Sequence, residues 1–279
     1  MKYQDCYREG REALRKAGIA EADLDARLLL EFVCGTNRND LLVHGDKEVE
    51  TEMLVSYRTA IERRTGHIPL QHITGEQDFM GLPFRVNEHV LIPRQDTEIL
   101  VEEVMRNMQE HDRILDMCTG SGCILISLLH YSNWCEGVGV DISAEALEIA
   151  KENASSLLTE EKYPTWLQSN LFEKVEGRFD IIVSNPPYIR TEVIETLMPE
   201  VRCYEPMQAL DGMADGLFFY RNIVKEAPRY LKKEGRLYFE IGHDQALQVS
   251  ELMKQEGFSE IQVVKDYAGL DRVVYGTLI

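Results

Sequence analysis

The chain has 279 residues, with 48 acidic against 30 basic side chains and a formal charge of −18. Apolar residues at 44% and charged residues at 28% match ordinary globular proteins, which excludes a disordered or collagen-like chain. The acid surplus is a poor electrostatic match for a phosphate backbone and counts against a nucleic-acid partner.

The length allows one large domain or two unequal ones. Six scattered cysteines form no CxxC pair, which predicts reduced thiols in a cytoplasmic protein. Seven histidines form no HxxxH or HExxH pattern, so no metal site is expected. The opening MKYQDCYREG lacks the apolar core of a signal peptide, and no window approaches the ~18 apolar residues of a membrane span.

Residues 1–70 read as a helical block. A first amphipathic segment closes at Gly18. A second carries Leu24, Leu28, Leu29, Phe32 and Val33 and ends at Gly35. A third runs over 48–65. Residues 71–95 change texture, with aromatic and β-branched residues around Gly75, Gly81 and Pro83, and predict a β-hairpin linker.

Residues 96–279 alternate between helix and strand. The expected strands are 112–117, 138–141, 165–168, 179–184, 236–241, 259–264 and 272–278. Helices are expected at 96–109, 122–132, 143–157, 215–232 and 245–256. That alternation predicts an α/β fold with a mostly parallel sheet covered on both faces. The link YAGLD is too short for a parallel crossover, so the last strand should run antiparallel.

Three signals carry chemistry. Residues 115–122, LDMCTGSG, lie where a strand passes into a helix, and their glycines let a ligand approach the backbone. Taken alone, they are equally an ordinary βα turn. Asp141 ends the next strand, placed either to accept hydrogen bonds from both ribose hydroxyls of an adenosine cofactor or to cap the following helix. A complete GxGxxG is lacking, since the third position is Leu125, which favours a cofactor without a pyrophosphate. The third signal is Asn185-Pro186-Pro187-Tyr188, directly after the strand FDIIVS. Two prolines fix the backbone and remove donors. The Asn185 oxygen and the Pro186 carbonyl remain as acceptors for a planar –NH2, with Tyr188 as an aromatic wall.

With these motifs the chain resembles class I S-adenosylmethionine-dependent methyltransferases that act on an amide or exocyclic amine nitrogen. More narrowly, it resembles the bacterial HemK/PrmC family, which methylates the glutamine of the Gly-Gly-Gln loop in peptide chain release factors. The likeness extends through the helical block, PLQHITGEQDFMGLPFRVNEHVLIPRQDTE at 69–98, YEPMQALDGMADGLFFYR at 204–221 and DRVVYG at 271–276.

The resemblance implies a Rossmann-like, seven-stranded methyltransferase domain over 96–279 and a substrate-gripping helical domain over 1–70. It implies S-adenosyl-L-methionine as cofactor, S-adenosyl-L-homocysteine as product, and a release factor as protein substrate. It carries no nucleic-acid or membrane partner, and a monomer is expected. Asn185, Pro186 and Tyr188 become the expected catalytic residues, with Pro187 joining them in substrate binding. Cofactor binding is expected at Cys118, Thr119, Gly120, Ser121, Gly122, Asp141, Asn170, Leu171 and Asn185. The 189–198 tract and the 204–221 segment are expected to frame the entrance.

Three residues depart from the family pattern. Cys118 replaces a glycine, so the backbone there is expected to avoid positive φ. Asn170 stands where aspartate is usual, and its carbonyl can accept the same hydrogen bond. Met213 interrupts a glycine pair. Two alternatives remain at this point: a nucleic-acid adenine-N6 methyltransferase, which shares NPPY, and a catalytically silent binding protein on the methyltransferase fold.

Overall fold

The computed structural model describes residues 1–279, which divide into two compact units. The first comprises Met1–Glu76 together with Met198–Tyr204. Its helices are Tyr3–Lys16, Ala22–Cys34, Arg38–Val43, Thr51–Thr65, Leu70–Thr74 and Pro199–Tyr204. Leu14, Leu29, Leu30 and Tyr57 fill its core, each at most 1% exposed. Gly35 caps the second helix in the left-handed region, as the sequence pattern predicts. The helix Arg38–Val43 went unanticipated, because it buries no residue and so shows no apolar period. Asn37 nucleates it by accepting the Asp40 amide at 3.1 Å.

The segment 198–204 is held into this first unit by polar contacts. Arg64, buried and paired with Asp25 at 2.7 Å, also donates to Glu200 at 3.1 Å. Glu200 lies 3.2 Å from His67 Nδ1, and the Tyr204 hydroxyl donates to the Gly66 carbonyl.

The second unit, residues 77–197 and 205–279, is built on a sheet. A hairpin of β1 (Glu76–Phe79) and β2 (Leu82–Arg85) precedes it. The sheet strands are β3 (Arg113–Met117), β4 (Glu136–Asp141), β5 (Thr165–Gln168), β6 (Phe179–Ser184), β7 (Leu231–Glu240), β8 (Phe258–Lys265) and β9 (Asp271–Leu278). Their order is β5-β4-β3-β6-β7-β9-β8. All run parallel except β9, which pairs antiparallel with β7 and β8. This is the class I methyltransferase arrangement.

Period-2 alternation sends neighbouring residues of a strand to opposite cores. Ile114, Ile181, Val183 and Tyr238 enter one layer with hairpin residues Phe79 and Phe84. Leu115, Ile182, Leu237 and Phe239 enter the other. Each such side chain contributes roughly 1.5–3 kcal/mol by leaving water. The result is a rigid platform whose order reverses at β3, with β4 on one side and β6 on the other. A crevice at the carboxyl ends of β3, β4 and β6 follows from that reversal.

Candidate active site

β3 ends in a turn over residues 118–122, and the helix Cys123–Tyr131 follows. The structure corrects the expectation for Cys118, whose φ is +62° rather than negative. The surrounding bonds determine the turn. Thr119 N–H donates to the Val140 carbonyl and Gly122 N–H to the Thr119 carbonyl, both at 2.9 Å. The Thr119 hydroxyl donates to Asp116 Oδ2. These bonds hold Cys118 in a conformation that costs an L-residue ~1–2 kcal/mol. Burial and the Asp141 and Asp116 carboxylates push its thiol upward, so it stays protonated at neutral pH.

Asp116 lies wholly buried beneath the turn, with Oδ1 unpartnered. Burial pushes its carboxyl up to about 7 against the Thr119 hydrogen bond, and Asp141 adds to the rise.

Asp141 ends β4. Its Oδ2 accepts the Gly120 amide at 2.8 Å and its Oδ1 accepts the Ser143 amide at 2.9 Å. The cap of the following helix is Ser143, which accepts from Ala146, so helix capping does not account for Asp141. Each carboxylate oxygen keeps a further acceptor site.

Asn185 follows β6. Its Nδ2 donates to Thr97 Oγ1 at 3.3 Å, which leaves Oδ1 as the free end of the amide. Thr97 sits in the helix Gln95–Asn107, 2% exposed. The Tyr188 hydroxyl donates to Glu240 Oε1 at 3.3 Å, and the Tyr188 carbonyl accepts from Gln245 Nε2 at 3.0 Å. Backbone bonds then join 189 to 210–212, with Ile189 N–H on the Leu210 carbonyl and Gly212 N–H on the Ile189 carbonyl. A Cβ on Gly212 would sit 2.7 Å from Tyr188 Cα, so the close approach needs glycine there.

These groups meet around one cavity of about 740 Å³. Cys118, Thr119, Gly120, Ser121, Asp141, Asn170, Leu171, Asn185 and Pro187 line it. Gly122, Pro186 and Tyr188 do not line it; Tyr188 packs partly against the core instead. The 204–221 segment supplies Pro206, Met207, Phe218 and Phe219, whereas nothing from 189–198 faces the cavity. Arg94 and Thr97 also line it and were missed as site residues, because nothing in PRQDTE marks one side chain over another. Cys118, Leu171 and Met213 share positive φ (62°, 48° and 68°), so backbone strain gathers at this cavity.

The lining fits a nucleoside cofactor. Asp141 offers two oxygens beside the glycine turn, and Ile142 and Leu171 give apolar wall. Asn170 Nδ2 is committed to Glu173 at 2.8 Å, so its carbonyl is the end left to accept. The size lies within the range of small-molecule sites.

Comparison with known proteins gives a consistent result. Residues 5–75 match the PrmC N-terminal domain, and residues 94–200 match the methyltransferase small domain. The chain is 43% identical over 270 residues to the release factor glutamine methyltransferase of Agrobacterium fabrum, covering 95% of this chain and 93% of that one. It is 41% identical over 278 residues to the enzyme of the same name from Clostridium botulinum, covering 98% of each. Among solved structures, a methyltransferase from Pyrococcus furiosus superposes with a TM-score of 0.53 at 16% identity, over 71% of this chain and 90% of that one. That likeness speaks for the fold alone.

Proposed function

The chain belongs to the family of release factor glutamine methyltransferases, and on that premise we propose how its residues methylate the side-chain amide of the Gly-Gly-Gln glutamine. The enzyme is S-adenosylmethionine-dependent, and its substrate is a protein. The observation that carries the mechanism is Asn185, which lines the same cavity as Asp141 with its amide nitrogen already committed to Thr97.

S-adenosylmethionine supplies an electrophilic methyl group on a sulfonium. Asp141 would hold the ribose through the acceptor sites left on its two oxygens, and Asn170 would accept from the adenine amine. Ile142 and Leu171 would give the base an apolar wall.

A glutamine amide nitrogen is a weak nucleophile, because its lone pair is delocalised into the carbonyl. The chain's task is therefore to aim it. Asn185 Oδ1, the free end of an amide that lines the cavity, accepts one amide N–H. That bond strengthens as positive charge develops on nitrogen, so it favours the transition state over the ground state. Alignment at near-contact distance supplies several kcal/mol more. No strong base is required, since the proton leaves after the methyl group has arrived. Tyr188, with its hydroxyl on Glu240, stiffens the loop and closes it against water.

The names of the relatives and the acid surplus favour a release factor over nucleic acid. A release factor substrate implies a cytoplasmic enzyme, and six free thiols accord with a reducing compartment. We take the working form to be a monomer. The test is mass spectrometry of a release factor incubated with enzyme and S-adenosylmethionine. One added methyl on the Gly-Gly-Gln glutamine is expected. Methylation elsewhere, or preference for naked RNA or DNA, would overturn the assignment.

A further inference from the structure

Gln245 precedes the helix Ala246–Gln255 and is 3% exposed. It does not line the cavity, yet its side chain is bonded to two stretches that do. Nε2 donates one hydrogen to the Tyr188 carbonyl at 3.0 Å and the other to the Gly216 carbonyl at 3.2 Å. Oε1 accepts the Gly242 amide at 2.9 Å, and the Tyr220 hydroxyl lies 3.4 Å from it. The flipped amide would set its oxygen against two carbonyls and its nitrogen against an N–H donor. Only the observed orientation satisfies every partner.

We propose that Gln245 is a positioning residue, which sets the register between the loop 185–188 and the segment 211–219. The inference rests on that loop as the seat of the substrate amide. Asn185 and Pro187 line the cavity from the loop, and Met213, Phe218 and Phe219 line it from the segment. Two glycines let the backbones meet. A Cβ on Gly212 would sit 2.7 Å from Tyr188 Cα, and one on Gly216 would collide with the Tyr188 carbonyl oxygen and lie 2.7 Å from Gln245 Nε2. At Gly212 and Gly216 the segment has no side chain to pack against Tyr188, so hydrogen bonds set the register there.

Burial makes these bonds decisive, because a buried carbonyl that loses its donor bears the full cost of desolvation. The Arg190–Asp244 pair, at 2.7 Å, reaches the same stretch of chain, but both partners are open to water and it contributes little. In an aligned site a displacement of about 1 Å can lower the rate ~10²-fold. A residue outside the cavity therefore governs how well Asn185 meets the substrate amide.

The experiment is single-turnover methylation of a release factor at saturating S-adenosylmethionine, with calorimetry of the cofactor and melting curves alongside. The variants are Q245E, G216A, the double variant Q245E/G216A and V249A. Glutamate at 245 keeps an acceptor for Gly242 but, protonated or not, cannot supply both hydrogens. Q245E and G216A should each slow methyl transfer roughly 10–100-fold, with cofactor affinity within about twofold. The double variant should be little slower than the slower single one, because both disturb one contact. V249A removes fully buried methyl groups from the same helix and calibrates plain destabilisation. It should melt lower and keep its rate. A wild-type rate in Q245E, multiplying losses in the double variant, or an equal loss of rate in V249A would overturn the positioning role. Should Q245E fail to fold, G216A against V249A decides. N185A separates the levels: a slow N185A with a fast Q245E removes only the role of Gln245, and a fast N185A removes the reading beneath it as well.

Discussion

Asp141 Oδ2 accepts the Gly120 amide at 2.8 Å, tying the tip of β4 to the turn that leaves β3. One side chain thus braces the cofactor turn and offers acceptors to what lies above it. Asp141→Ala should weaken S-adenosylmethionine binding by at least tenfold, since each charge-assisted bond is worth ~1.5–3 kcal/mol. Calorimetry reads the affinity. Unchanged affinity together with a lowered melting temperature would reduce Asp141 to a brace.

Asn185 gives the sharpest kinetic expectation. Asn185→Ala should leave cofactor affinity nearly intact and lower turnover by ~10²–10³, as for removal of one transition-state hydrogen bond. Asn185→Asp keeps an acceptor, although it sets a carboxylate against Thr97 Oγ1. Aspartate should therefore outperform alanine in single-turnover rates. The reverse order would mean that Asn185 works as a donor.

Asp116 predicts a pH effect on stability. Its folded pKa, about 7, lies above the ordinary carboxylate value of 3.8. Between those values the unfolded chain has lost its proton while the folded chain keeps it, so this group makes stability fall as pH rises from about 4 to 7. Above 7 the loss is complete. Asp116→Asn removes the penalty and still accepts from Thr119. The variant should melt a few °C above wild type at pH 8, with the advantage shrinking toward pH 4. Parallel melting curves at all pH values would rule the effect out.

Met213 and Cys118 separate strain from packing. Both have positive φ, but Met213 is 45% exposed while Cys118 packs against the core. Met213→Gly relieves ~1–2 kcal/mol of backbone strain against ~0.5–1 kcal/mol of added chain entropy, a small net gain. Cys118→Gly forfeits buried contacts as well and should gain nothing. Thermal unfolding of the two variants checks the order.

Much of this was legible beforehand because the sheet is buried on both faces. FDIIVS and RLYFEI announce strands by composition alone, and YAGLD fixes the direction of β9 by its length. The glycine turn, Asp141 and Asn185 were legible because each sits at the end of such a strand. Thr97 was not, since a polar residue in a helix looks ordinary until tertiary packing brings it to Asn185, 88 positions along the chain. The conformation of Cys118 was illegible for the opposite reason: local propensity pointed the wrong way, and bonds from Val140, Asp116 and Thr119 overrode it.

The membership of 198–204 in the first unit bears on how the protein is made. A chain emerging from its N-terminus would have its first 76 residues available early, yet Arg64 would wait for Glu200, and Gly66 for Tyr204. The helical block is therefore finished only after β3 to β6 have been synthesised, so the order of completion differs from the order of translation. A fragment ending at residue 76 should behave as an arrested nascent intermediate, with slower proton exchange restored when a peptide spanning 198–204 is supplied.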